Sequence, residues 1–139
     1  MKASLLYRIA SILLVLFAAA HGFGFRQIDP SWGVDSTIAS MQSIHFDVQG
    51  SNRTYWDFYV GFGFFVSVLL LFAAIIAWQL GSLGAETLAM MRVAAWGFVA
   101  CFAAVTFLIW RYVFIVPLIF SAVITLCLIA AAWLSAQPN

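Results

Sequence analysis

Three residues in this 139-residue chain are best suited to acid–base or binding chemistry. Two are histidines, and the third is an aspartate at the start of a long apolar run. His21 and His45 carry imidazole rings, which donate, accept or hold a proton near neutral pH. Asp57 follows Arg53 by four residues, where a polar segment gives way to apolar sequence. Because an unpaired charge near hydrocarbon is costly, the Asp57 carboxylate needs a partner.

Arg53 and Asp57 admit two interpretations. If a helix is capped by Ser51 or Asn52, the two charged residues lie one turn apart on one face, and Gly61 continues that face. An intrahelical ion pair, helped by the attraction of a carboxylate to a helix N-terminus, is the simpler interpretation. The alternative is a buried acid that binds a ligand or moves a proton. In an enzyme, Asp57 or His21 would act as the acid or base, and the sequence leaves open whether the protein is an enzyme.

His21 stands near the end of the first apolar run, and the neighbouring Gly22 leaves space beside its ring. An interhelical hydrogen bond is the favoured interpretation. With His45 and an aspartate, His21 would complete a three-ligand metal site, and bis-histidine haem binding is a second metal alternative. No HxxxH or HxxE spacing supports either one. We therefore predict no metal site, and the sequence leaves any cofactor unknown.

Aromatic residues surround Asp57. Tyr55, Trp56 and Tyr59 fit the interfacial belt, because Trp and Tyr concentrate where helices cross the membrane–water boundary. Their participation in a ligand site is the alternative. The residues predicted to line such a ligand-binding site are His21, His45, Arg53, Trp56, Asp57 and Tyr59.

Composition assigns the chain to the membrane. Hydrophobic residues make up 65% and charged residues 8% of the sequence. Soluble domains contain about 45–50% apolar and about 25% charged residues, so the lipid bilayer is the first predicted partner. The net charge of +1 and the absence of a basic stripe exclude nucleic acid as a partner. Lys2 is the only lysine, which excludes a retinal Schiff base within the membrane.

Four apolar runs are long enough to cross a bilayer, for which about 20 residues are needed. The runs cover residues 5–25, 58–80, 88–110 and 113–134. Each must be helical, because lipid offers no partner for free backbone groups. Small residues spaced by four, such as Gly63 and Ser67, permit close helix packing. We therefore predict an all-α fold, a four-helix membrane bundle that forms a single domain over residues 1–139.

The first run has a competing interpretation. Lys2 and Arg8 precede an apolar core, and the small residues Ala18, Ala19 and Ala20 fit a signal-peptide cleavage site. A retained helix is favoured, because apolar residues continue beyond that point. The positive flank then predicts cytoplasmic N- and C-termini in a bacterial inner (plasma) membrane, with the loop of residues 26–57 outside.

The outer loop is organised. Asp29, Pro30 and Gly33 predict a turn. The following segment, Asp35–Gly50, is predicted as a short amphipathic helix, with a helical spacing formed by Ile38, Met41, Ile44 or His45, and Val48. Because this segment lacks a basic face, a lid on the protein is preferred to a lipid-binding arm.

Two sequence stretches, AHGFGF and RTYWDFYVGFGFF, resemble a family of small bacterial membrane proteins with four predicted spans. The resemblance covers about the first half of the chain. The shared features are His21-Gly22, Asp29-Pro30, Met41, Trp56-Asp57 and Gly61-Phe62. The resemblance implies a four-span architecture in which these residues form one unit, and it carries no assigned activity.

The sequence leads to two functional hypotheses. The first is an outward-facing polar pocket that binds a small amphipathic or lipid-like molecule. His21, Arg53, Asp57 and Tyr59 would line this pocket, and the Asp35–Gly50 helix would cover it. The second is a structural or accessory subunit that docks on another membrane protein or forms a homo-oligomer. Small-residue faces support the second hypothesis, above all the stripe Ala94, Gly97, Cys101 and Ala104.

Overall fold

The computed structural model describes residues 2–136, which form six α-helices, one 3₁₀ turn and one antiparallel pair of strands. In chain order these are α1 (Lys2–Gly24), the 3₁₀ turn (Pro30–Trp32), α2 (Asp35–Ser43), β1 (His45–Val48), β2 (Ser51–Thr54), α3 (Tyr55–Ser82), α4 (Ala85–Met90), α5 (Arg92–Tyr112) and α6 (Ile115–Ser135). Among these residues, α1, α3, α5 and α6 are long and apolar enough to cross a membrane. The chain is an integral membrane protein, and the predicted all-α fold with four spans is confirmed.

The third span begins later than predicted. Leu88 belongs to the short helix α4, and α5 begins at Arg92. Met91 separates the two helices with φ −81° and ψ 15°, a conformation outside the α region that turns the chain.

Packing divides the chain into two compact units, and the single membrane domain stays a prediction. Among the described residues, one unit comprises residues 2–17 with 70–136, and the other comprises Ala18–Leu69. Helices α1 and α3 each contribute one part to each unit.

In the first unit, α1 and α3 are joined by side-chain hydroxyls that donate to backbone carbonyls. Ser11 Oγ donates to the carbonyl of Ala74 at 2.8 Å, and the Ser4 hydroxyl donates to the carbonyl of Gly81. A Cβ built on Gly81 would lie 3.0 Å from the Ser4 carbonyl oxygen, so the close approach of the two helices depends on this glycine. Small residues at such crossings are typical of helix packing in lipid.

The same unit contains the α5–α6 hairpin, which is held by three hydroxyls. Thr106 Oγ1 lies 2.5 Å from Ser121 Oγ and 2.9 Å from Thr125 Oγ1. Thr106 also donates to the carbonyl of Phe102 at 2.8 Å, and Thr125 donates to that of Ser121 at 2.8 Å. Each hydroxyl therefore has a partner inside the protein, which is necessary where water is absent.

The second unit contains the end of α1, the long loop that follows it and the start of α3. The ring of Phe25 packs against Gly63, and a Cβ on Gly63 would clash with that ring. A Cβ on Gly22 would lie 3.5 Å from Ser67 Oγ, an ordinary contact. Gly63 and Ser67 therefore both lie against residues at the end of α1, which agrees with the packing predicted for these two small residues.

The predicted helix over Asp35–Gly50 is wrong in its second half. Helix α2 ends at Ser43, and β1 then pairs with β2 in an antiparallel hairpin. Gln49 and Gly50 form its two-residue turn with φ 50° and 80°. Two consecutive left-handed residues make a type I′ turn, which matches the twist of a hairpin. The helical spacing of Ile44 and Val48 is therefore coincidental.

Candidate functional site

The entry to α3 is a reciprocal pair of hydrogen bonds between Thr54 and Asp57. Thr54 Oγ1 accepts from the backbone N–H of Asp57 at 3.1 Å, and Asp57 Oδ2 accepts from that of Thr54 at 2.9 Å. This is a capping box, which satisfies backbone donors that a helix start leaves without partners. The helix is therefore capped by Thr54, and the prediction of a cap at Ser51 or Asn52 is wrong.

Arg53 lies on β2, outside the helix, so the predicted intrahelical pair with Asp57 is wrong in its geometry. The Arg53 Nη1 atom donates to the backbone carbonyl of Asn52 at 2.9 Å. Within residues 2–136, the Asp57 carboxylate takes its hydrogen bond from Thr54. A hairpin running directly into a helix explains this arrangement, because β2 ends at the residue that caps α3.

Arg53 and Asp57 nevertheless share a surface, which we call the arginine groove. It has a volume of about 340 Å³ and is lined by Arg53, Asp57, Phe58, Gly61, Phe62 and Phe65. Phe58 is one wall, and Phe46 of the hairpin stacks on it with ring centroids 6.0 Å apart. The groove therefore begins with two charges and continues along aromatic rings, and Gly61 follows Asp57 on its face as predicted.

A second cavity lies under α2, and we call it the α2 cavity. Its volume is about 220 Å³, and its lining residues are Gln27, Ile28, Trp32, Val34, Thr37, Ile38, Met41, Trp56 and Tyr59. Three segments supply these walls: the turn after α1, helix α2 and the first turns of α3. None of the lining side chains is an acid, a lysine, an arginine or a histidine.

Trp56 and Tyr59 form the α3 side of this cavity. Their ring centroids are 5.2 Å apart. The Tyr59 hydroxyl donates to the backbone carbonyl of Phe25, so this ring also fastens α3 to the end of α1. The two predicted aromatic site residues therefore share one cavity, which neither Arg53 nor Asp57 lines.

The turn before α2 places another aromatic residue at the cavity. Asp29 Oδ1 accepts from the backbone N–H of Ser31 at 2.8 Å, and Gly33 adopts φ 65°. Hydrogen bonds from the side chain and the backbone of Ser31 hold the pKa of the Asp29 carboxyl below its usual value. The predicted turn is confirmed, and it carries Trp32 to the cavity wall.

His21 makes the interhelical hydrogen bond that was predicted. Its Nδ1 lies 3.0 Å from Ser67 Oγ, and its ring stacks on Phe25 with centroids 5.3 Å apart. Ser67 Oγ also lies 3.3 Å from the carbonyl of Gly63, to which it donates. If Ser67 gives its proton to that carbonyl, Nδ1–H of His21 donates to the serine oxygen. His21 lines neither of the two cavities.

His45 is exposed at the start of β1. Its Nδ1 donates to the backbone carbonyl of Ser43 at 3.0 Å, and it also lines neither cavity. The six predicted site residues therefore divide between the arginine groove, the α2 cavity, the Ser67 contact and an exposed strand. In the part of the chain from residue 2 to 136, no three His, Cys, Asp or Glu side chains form a group that would hold a metal ion.

Several lining residues were missed by sequence reasoning. Trp32 and Thr37 of the α2 cavity, and Phe62 and Phe65 of the arginine groove, carry no spacing that marks them as site residues. The capping box did have a signature, because a threonine three residues before an acid at the start of an apolar run is typical of one.

No family model, curated protein or solved structure matches this chain. The resemblance to small bacterial membrane proteins with four spans stays a prediction, and the site itself must carry any functional proposal.

Proposed function

We propose that this protein binds a small amphipathic or lipid-like molecule on the outer side of the bacterial inner (plasma) membrane. The α2 cavity is the observation that carries this proposal. It is a mostly apolar space of about 220 Å³, walled by three segments and covered by a short helix. Binding sites for small molecules are typically concave, lined by apolar and aromatic side chains, and equipped with a few polar groups.

The lining of the cavity suggests the chemistry of the ligand. Trp32, Trp56 and Tyr59 supply aromatic faces, and Gln27 and Thr37 supply hydrogen-bonding groups. Because a charged group would have no countercharge among the lining side chains, the enclosed part of the ligand is uncharged. An apolar body with one or two hydrogen-bonding groups fits this set.

The burial pattern of α2 favours a role for this helix as a lid over the cavity. Ile38 and Met41 are its half-buried residues, and both line the cavity, whereas the other residues of α2 are exposed. Gly33 in its left-handed conformation precedes the helix, and Ile44 in an extended conformation follows it. A segment with so few buried residues opens at low free-energy cost, which would let a ligand enter.

Native mass spectrometry of the protein purified in mild detergent tests the proposal. The wild-type protein should retain a bound small molecule. Ile38→Trp fills the cavity and should reduce that retention by at least about tenfold, equivalent to about 1.4 kcal/mol. Ile44→Trp is the matched control, because Ile44 is exposed and does not line the cavity.

Equal retention in the two variants contradicts the proposal, and so does a wild-type protein that carries no small molecule under conditions that preserve its fold. The topology has its own test. A fluorescent protein fused after Asn139 should fluoresce, as expected for a cytoplasmic C-terminus, and an alkaline phosphatase fusion there should be inactive.

A second candidate function, an accessory subunit or homo-oligomer, is favoured by one face of α5. This span buries 17% of its most apolar window, against 28–33% in the other three. All four residues of its small-residue stripe are exposed. The stripe consists of Ala94, Gly97, Cys101 and Ala104. The surface therefore suits close approach by another helix.

Cross-linking in membranes tests this second candidate. In a Cys127→Ala background, a second copy seated on the stripe should give a Cys101–Cys101 disulfide under mild oxidation. Ala104→Leu should suppress the cross-link, and Ala103→Leu should not, because Ala103 lies beside the stripe on the same helix. A cross-link that resists Ala104→Leu, or none at all, counts against a homo-oligomer on this face.

A further inference from the structure

We propose that the arginine groove binds one zwitterionic phospholipid from the outer leaflet. The Arg53 guanidinium would contact the lipid phosphate, and the Asp57 carboxylate would contact the ammonium group. An acyl chain would follow Phe58, Phe62 and Phe65. This site is separate from the α2 cavity and does not depend on the ligand proposed there.

The two charges at the head of the groove retain capacity for a ligand. Within residues 2–136, the Arg53 side chain donates one hydrogen bond, from a guanidinium N–H to the carbonyl of Asn52. A guanidinium has five N–H donors in a planar fork that suits phosphate. Asp57 binds the Thr54 N–H through Oδ2, which leaves Oδ1 as an acceptor. Both side chains are exposed, so a headgroup reaches them without disturbing the capping box.

The rest of the groove matches a hydrocarbon chain. Phe62 and Phe65 are 67% and 58% exposed, and both lie on a helix that enters the membrane. From Phe58 to Phe65 the helix advances about 10 Å, which is about one third of the hydrocarbon core. Gly61 has no side chain, and a Cβ added there would meet no atom within 4 Å, so the space between the rings is open.

The pairing of opposite charges selects the class of lipid. An anionic lipid would satisfy Arg53, but its net negative charge would also meet Asp57. A zwitterionic headgroup presents one charge of each sign and is complementary to both side chains. Phe46 stacks on Phe58, so the hairpin that carries Arg53 is fixed to the helix that carries Asp57.

Lipid retention in native mass spectrometry tests the proposal. The protein is reconstituted in bilayers of equimolar phosphatidylethanolamine and phosphatidylglycerol, then released, and the retained lipids are counted. The wild-type protein should retain phosphatidylethanolamine in excess. Asp57→Asn keeps an oxygen acceptor for Thr54 and should move the ratio toward phosphatidylglycerol by about two- to fivefold, the effect of one exposed charge pair.

Two further variants separate this site from general lipid contact. Arg53→Gln should lower the retention of both lipids. Arg111→Gln should leave the ratio unchanged, because that guanidinium lies over the ring of Tyr112 and does not line the groove. A wild-type ratio equal to that of the bilayer, or a ratio that ignores Asp57→Asn, overturns the proposal.

If Asp57→Asn fails to fold, a second variant tests the apolar part of the groove independently. Phe62→Ala removes a mostly exposed ring and should lower total lipid retention without altering the ratio. Unchanged retention in this variant overturns the acyl-chain part of the proposal. Ile38→Trp in the α2 cavity should not change the phospholipid ratio, so failure of one proposed site is distinguishable from failure of the other.

Discussion

Thr54 and Asp57 each accept a hydrogen bond from the other residue's backbone N–H, at 3.1 and 2.9 Å, and together they start α3. The acid at the membrane entry therefore has a structural partner that is not Arg53. Because each bond satisfies a backbone donor at a helix start, loss of either side chain leaves a donor without its partner.

Thr54→Ala should lower the free energy of unfolding by about 1 kcal/mol, within the range of measured N-cap substitutions. Thr54 is 5% exposed, so water replaces the lost hydroxyl poorly. Amide hydrogen exchange should increase in the first turn of α3. Thr87→Ala, at an exposed threonine inside α4, is the control, and equal effects of the two changes would refute the cap.

Gly63→Ala should destabilise the protein by about 1–3 kcal/mol, because the added methyl group overpacks the site occupied by the Phe25 ring. Gly61→Ala is a matched control on the same helix, where an added Cβ meets no atom within 4 Å. The control should be neutral or stabilising by up to about 1 kcal/mol, since alanine is the better helix former. Thermal unfolding in detergent measures both, and indistinguishable melting temperatures would contradict the Phe25 contact.

His21 and Ser67 should show a coupling of about 0.6 kcal/mol in a double-mutant cycle, the average for interhelical hydrogen bonds in membranes. The cycle uses His21→Leu, Ser67→Ala and the double variant, with unfolding free energies as the readout. Ser40→Ala replaces Ser67→Ala in the control cycle, because the Ser40 hydroxyl binds the Ser36 carbonyl within its own helix. If the effects of His21→Leu and Ser67→Ala on the unfolding free energy are additive, the hydrogen bond between these residues does not stabilise the helix pair.

The Asp29 carboxyl should titrate below its usual pKa of 3.8, because hydrogen bonds from Ser31 stabilise the charged form. The folded-state pKa is depressed, so the stabilisation of the turn is present above pH 3.8 and is lost as the pH falls through the folded-state pKa. Ser31→Ala removes the hydroxyl and should raise the Asp29 pKa while the backbone bond remains. Carbon-13 NMR of the carboxyl group measures both, and an unchanged pKa in the variant would contradict this cause.

The four spans were predictable because the hydrocarbon core demands long apolar runs, and α3 and α6 satisfy that demand almost without interruption. The bond made by His21 was predictable for a similar reason, since a polar side chain within a span needs a partner. In both cases the lipid surroundings limit the backbone structures and side-chain contacts that the residues can adopt.

The hairpin and the division of the site were not predictable in the same way. The segment from His45 to Val48 fits a helical spacing as well as a strand, and the turn at Gln49 and Gly50 decides between them through left-handed backbone angles. Trp56 and Asp57 are adjacent in sequence, yet they line different cavities because neighbouring residues on a helix point about 100° apart.

The uninterrupted length of α3 makes the depth of its N-terminal end depend on the thickness of the membrane. Its 28 residues extend about 42 Å, whereas the hydrocarbon core is about 30 Å thick. A thin bilayer tilts such a helix or leaves its first turns in the headgroup layer, and a thick bilayer draws them inward. Because β2 continues directly into α3, the depth of Arg53 in the bilayer changes with that of the helix. Hydrophobic mismatch therefore determines which layer of the lipid the Arg53 side chain contacts.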